Sequence, residues 1–186
     1  MNESASSLAF LAEVVAVEDS TVQKESLAAG LGPLSQGEKD HIYDRSVTLR
    51  IGEYALKCFV PHLARAEEGV GVGHFEKGAR HLVLVYAYCS SFSRGPPFGI
   101  RPTTHWVGRG TGWVISPHDY ILSGKLIRVF EPPISLAPVP GSAWGVLLVD
   151  AADFKLVLTD AKPAGCKEGD SLVLTCRLDA HSLGTA

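Results

Sequence analysis

The sequence predicts an all-β protein built as two small antiparallel barrel modules in tandem. Three observations carry that reading. The first is internal repetition: each half holds a β-branched strand, a strand–turn–strand pair, and a Lys/Glu-Gly turn that opens another strand. In the first half these are residues 13–17, 47–58 and 76–85; in the second they are 125–129, 146–158 and 167–175. The second is period-two alternation, clearest where Val47, Leu49 and Ile51 alternate with Ser46, Thr48 and Arg50. The third is punctuation by Gly and Pro at short intervals, as strands and turns require.

Composition bounds the problem. A chain of 186 residues can bury one substantial core or two small ones. With 46% hydrophobic and 20% charged residues it belongs with folded globular chains, and no apolar run reaches membrane-spanning length, so no membrane partner is expected. The opening residues 1–7 lack the basic region of a secretory signal, and the four cysteines show no paired metal-site spacing. An intracellular, reducing location is expected. The net charge of −3 argues against indiscriminate polyanion binding.

Taken in order, residues 10–18 read as a strand. Ser20-Thr21-Val22-Gln23 has the form of a capping box before a short helix over 21–29 that stops at Gly30. After a polar loop over 34–45 comes the alternating strand, a turn at Gly52-Glu53 and a returning strand at 54–60. Residues 61–80 form a glycine-punctuated loop or broken helix before a strand at 81–88. Residues 90–112, rich in Gly, Pro, Ser and Arg, read as a long connector. Trp113 opens a short apolar patch, and the second copy begins near Leu122. Glu131-Pro132-Pro133 and residues 138–141 suit only loop or edge, and the tail beyond Asp179 is expected to fray. The division is thus 10–90, a connector over 91–121, and 122–180.

A strand, a hairpin, a connecting segment and a strand opened by a Lys/Glu-Gly turn resemble the oligonucleotide/oligosaccharide-binding (OB) fold, over roughly residues 10–90 and 122–178. Each copy offers four strands where such a barrel needs five. Residues 113–116 are a candidate fifth for the first copy; the second has none. One β-sandwich built from both halves is the alternative.

The resemblance implies single-stranded nucleic acid across the hairpin face. In the first copy Val47, Leu49, Ile51, Tyr54, Leu56 and Cys58 would point inward. Thr48, Arg50, Lys57 and Phe59 would then form an outer platform of two cations and an aromatic, or an ordinary solvated face. The matching outer positions of the second copy, Leu147, Val149, Val157 and Thr159, are mostly apolar. They are expected to be covered by the first copy or by a protein partner, unless a one-residue register shift exchanges the two faces.

The connector places Arg94, Arg101 and Arg109 among Phe98, Trp106 and Trp113, with Asp119 as the one acidic residue nearby. Arginine pairs with phosphate and stacks, and aromatics accept any base, although the same mixture anchors protein interfaces. Trp113 is expected to pack against a barrel. The seven histidines have no ligand-type spacing, and the glycine run 69–73 lacks the lysine of a phosphate loop. Asp150 and Asp153 suit turn positions. No catalytic, metal or cofactor site emerges.

These observations point to a non-catalytic subunit of a nucleic-acid-handling complex. It would bind single-stranded DNA or RNA through Arg50, Lys57, Phe59, Arg94, Phe98, Arg101, Trp106 and Arg109. It would dock protein, or a second copy, through Leu147, Val149 and Val157. A pure scaffold and a small β-barrel enzyme are the alternatives.

Overall fold

In a computed structural model, the structure describes residues 4–19, 45–60, 75–109, 112–136, 142–159 and 162–186. It is nearly all β, as the alternation predicts. After one turn of helix, α1 (Ala5–Leu8), the strands are β1 (Phe10–Asp19), β2 (Arg45–Ile51), β3 (Tyr54–Val60), β4 (Arg80–Arg94) and β5 (Ile100–Arg109). They continue with β6 (Gly112–Ser135), β7 (Ser142–Val149), β8 (Lys155–Thr159) and β9 (Ser171–Thr185). The helix expected over 21–29 and the glycine run 69–73 lie outside the described residues.

All nine strands join one sheet in the order β1-β2-β3-β9-β4-β8-β7-β6-β5, with β1 also pairing β4 and β9 also pairing β6. The sheet is mixed rather than purely antiparallel, because β3 runs parallel to β9 and β4 parallel to β8. Strands of the first segment therefore bond directly to strands of the second. The longest seam is β4 against β9, from His81 opposite Thr185 to Arg94 opposite Leu172.

The expected β2–β3 hairpin is present, with Gly52 at φ +58° in its turn, a left-handed value that glycine meets without Cβ strain. Three expectations are corrected. The connector is itself a hairpin, β5 pairing β6 from Ile100–Leu122 to Arg109–Gly112. Proline and glycine survive in it because β5 pairs only β6: it is the sheet's outer strand among the described residues, and there a missing N–H breaks no ladder bond. Glu131-Pro132-Pro133 sits in β6 at the register shift between Val129 and Ile134, where pairing with β7 lapses. The tail does not fray, since Ala180, His181 and Ser182 are buried along β4.

Side chains on one face of the β4–β9 seam fill the main core. Val83, Val85, Ala87, Leu172, Leu174 and Leu178 meet Val47, Leu49 and Leu56 from one side and Leu126, Trp144, Leu147 and Leu156 from the other. A smaller cluster lies on the opposite face, where Leu84, Tyr86, Val146 and Val157 are capped by Leu8 of α1 and by Phe130 and Leu136.

Candidate binding surface

On the β2–β3 hairpin the inward set is as expected: Val47, Leu49, Ile51, Leu56 and Cys58 are buried and Tyr54 packs against them. The outer face is not the cationic platform that was expected. Arg50 lies 3.5 Å from Glu13 on β1, and Lys57 is ion-paired with Glu18 on the same strand. Exposed pairs of this kind stabilise by roughly 0–1 kcal/mol, but they cancel the charge a phosphate would seek.

Phe59 is not an exposed stacking residue, since only 2% of its surface is accessible. The Arg177 guanidinium stands 5.5 Å over its ring and 4.8 Å over that of Tyr88, while Arg177 Nε donates to the buried Asp179 carboxylate at 3.1 Å. The parallel β3–β9 pairing sets Phe59 opposite Asp179 and so assembles this stack. Sequence reading missed it because Arg177 and Phe59 lie on strands far apart in the chain and no local pattern joins them.

The expected docking face is also corrected. Leu147 and Val149 belong to the main core and Val157 to the smaller cluster, all at 0% exposure. Opposite faces of this hairpin are both covered by the chain itself: Leu147 lies in the main core, and Val157 in the smaller cluster with Leu84, Tyr86 and Leu8. The apolar character that suggested docking is that of strands buried on both faces.

At the base of the β5–β6 hairpin, Arg94 reaches the Gly165 carbonyl at 2.9 Å and Asp170 at 3.4 Å, so its acidic partner comes from the turn before β9. Phe98 is 41% exposed, with the Arg101 guanidinium 4.6 Å over its ring. Its amide donates to Ser123 Oγ at 2.9 Å, which holds the ring at the surface. Trp106 and Arg109 lie further along β5, and their side chains, like that of Trp113, fall outside the described residues.

The edge of β5 is guarded. The Gly99 carbonyl accepts from Ser123 N–H at 3.2 Å, so by alternation Arg101 turns its amide toward β6 while Ile100 and Pro102 turn theirs outward. Pro102 thus puts a missing donor on the free edge, beside the register shift between Thr103 and His105. Both devices discourage strand addition.

A cleft of about 540 Å³ opens where the two segments meet. Its apolar lining is Phe10, Leu11, Ile51 and Phe154; Leu11 is 48% exposed, and the Phe10 and Phe154 rings are 5.2 Å apart. Across its mouth runs a row of charges, because Glu13 of β1 is the register partner both of Arg50 on β2 and of Arg80 on β4. Asp153 lines the cleft too, at φ +51° in the β7–β8 turn. No residue of this cleft except Arg50 was expected from sequence. Its parts come from four separate strands and turns, each unremarkable alone.

Among the described residues no group of three or more His, Cys, Asp or Glu is placed to hold a metal ion, and no helix is long and apolar enough to cross a membrane. Comparison with protein-family models, curated proteins and solved structures finds no match.

Proposed function

We propose that this chain is a non-catalytic binding subunit whose primary ligand is protein, made of two OB-like barrels that share their last strands. The barrel reading rests on the pairing circuits. Strands β1, β2, β3, β9 and β4 return to β1, and β6, β7, β8, β4 and β9 return to β6. Each circuit has five members and one parallel closure, and each borrows its fifth from the other copy. That supplies each circuit with a fifth strand; residues 113–116, the candidate fifth for the first copy, belong to β6 and pair with β5 instead.

The observation that carries the docking reading is the cleft at the junction. It joins an exposed leucine and two aromatic rings to a row of Arg50, Glu13 and Arg80, with Asp153 nearby. A partner segment with an apolar anchor flanked by charged side chains complements that lining. Protein contact surfaces gain most from such desolvated anchors inside a polar rim. The partner expected to co-purify with the wild-type chain is lost from L11D and R80E and kept by I127S, which alters an exposed apolar side chain outside the cleft. Equal retention by all three variants would remove the cleft from the model.

Single-stranded nucleic acid is the second reading, favoured by one feature: the solvent-facing Phe98–Arg101 stack. Fluorescence anisotropy with labelled single-stranded DNA and RNA at low and physiological salt separates the two. Saturable binding that weakens with salt and disappears in F98A/R101A would make nucleic acid the primary ligand; no binding at low salt leaves protein.

A further inference from the structure

All four cysteines are thiols in this structure, and two of them meet across the central seam. Cys89 on β4 is the register partner of Cys176 on β9. Two backbone bonds decide what kind of pair they make. The Ser171 carbonyl accepts from Gly95 N–H, just beyond β4, at 3.4 Å, and the Asp170 carbonyl accepts from Leu126 N–H on β6 at 2.9 Å. Along a strand between two antiparallel neighbours, successive residues turn their backbone groups to one neighbour and then the other. Residues 171, 173 and 175 therefore face β4, while 172, 174 and 176 face β6, and β9 keeps an unbroken register against β6 throughout.

Cys176 thus gives its amide and carbonyl to β6, and its pairing with Cys89 is of the non-hydrogen-bonded kind. In such pairs Cα atoms approach to about 4.5 Å and side chains are closest. That separation is within the span of a disulfide. The two side chains share a face, since Cys176 belongs to the main core and Cys89 packs against it. A register shift between Cys89 and Ser91 adds one residue of slack to β4 at this point. Cys89 is the half-buried member and the one a reagent reaches first.

We propose that Cys89 and Cys176 form a redox-sensitive pair that closes to a cross-strand disulfide when the chain meets a small-molecule disulfide of the glutathione class. The Cys89 thiolate attacks one sulfur of that disulfide, forming a mixed disulfide and releasing one thiol. The Cys176 thiolate then attacks the Cys89 sulfur, and the second thiol leaves. The protein thiols lose two protons and two electrons, and the small disulfide becomes two thiols. The new bond staples β4 to β9, the two strands that both pairing circuits share. Neither other cysteine has this arrangement: Cys58 faces Val47 across β2–β3, and Cys166 lies in the loop before β9.

The test is to oxidise the folded full-length chain with oxidised glutathione, block remaining thiols with an alkylating reagent, and map linkages by peptide mass spectrometry. The expected product is an intramolecular Cys89–Cys176 link, formed equally in a C58A/C166A variant and absent from C89A and C176A. Its thermal midpoint should rise by roughly 10 °C and fall back on reduction. A glutathione adduct that persists on Cys89, a link through Cys58 or Cys166, or no modification of the folded chain would each overturn the proposal. The C58A/C166A arm keeps it testable if C176A does not fold.

Discussion

His181 lies on the covered face of β9 with its ring stacked on Tyr86 at 5.1 Å and Nε2 3.1 Å from the Tyr86 hydroxyl, while its buried Nδ1 has no hydrogen-bond partner among the described residues. Burial pushes its pKa down from 6.5 to about 4. Between those values the unfolded chain binds a proton that the native imidazole refuses, so stability falls as pH drops through this window and levels off below it. The loss expected from this residue is about 3 kcal/mol. Denaturant titrations at pH 7, 5 and 4 should show a steeper acid loss in the wild type than in H181Q; parallel curves would mean that the histidine charges freely in the fold. His81 is held differently: Glu76 N–H donates to its Nε2 at 3.1 Å, so Nδ1 carries the proton and donates to Ser182 at 2.8 Å. The burial of Cys58, aided by the nearby Asp179 charge, raises its thiol pKa far above the ordinary range and leaves it inert.

Among the elements, β4, β6 and β9 each pair with three strands, and β6 meets β5, β7 and β9 in turn. Where it crosses β7, Gly124 lies opposite Val149 with no room to spare. A Cβ there would stand 2.5 Å from the Leu148 carbonyl oxygen and 2.7 Å from two carbons of Leu147. Backbone cannot yield as a flexible side-chain tip can, so G124A is expected to cost about 3 kcal/mol and to lower the thermal midpoint by roughly 10 °C. A midpoint within 2 °C of wild type, on the same rough scale, would show that the β6–β7 crossing relaxes freely. The β2–β3 hairpin has no such constraint. Its inward residues were legible from alternation alone, because one face of that hairpin packs on the core and the other carries Arg50 and Lys57. The β7–β8 hairpin was not legible in the same way, since with both faces covered the pattern loses its polar half and says nothing about which side is in.

For the molecule as a whole, the pairing of β4 with β9 makes the two segments interdependent. The β4–β9 seam joins positions far apart in the chain, and the core on its inner face draws on both segments. Fragments 1–95 and 96–186, made separately, each lack one strand needed to close a circuit and leave much of that core exposed. Neither is expected to unfold cooperatively alone, whereas mixing them should restore a single transition and the circular dichroism of the intact chain. A cooperative transition in either fragment by itself would show that its half closes without the other.

By itself the sequence determined the strand content and the β2–β3 hairpin with its glycine turn, because these depend on period and turn chemistry between near neighbours. It placed Phe98 and Arg101 in one Arg/aromatic segment, but only the structure sets the guanidinium over the ring. Tertiary structure decided the rest. Whether Phe59 faces water depends on Arg177 and Tyr88; whether Arg50, Lys57 and Arg94 are available depends on Glu13, Glu18 and Asp170. Whether Leu147 and Val157 could meet a partner depends on which strands cover them. These outcomes were hidden for one physical reason: strand pairing joins residues without regard to their separation in the chain, so a local pattern can show that a face is apolar but not what lies against it.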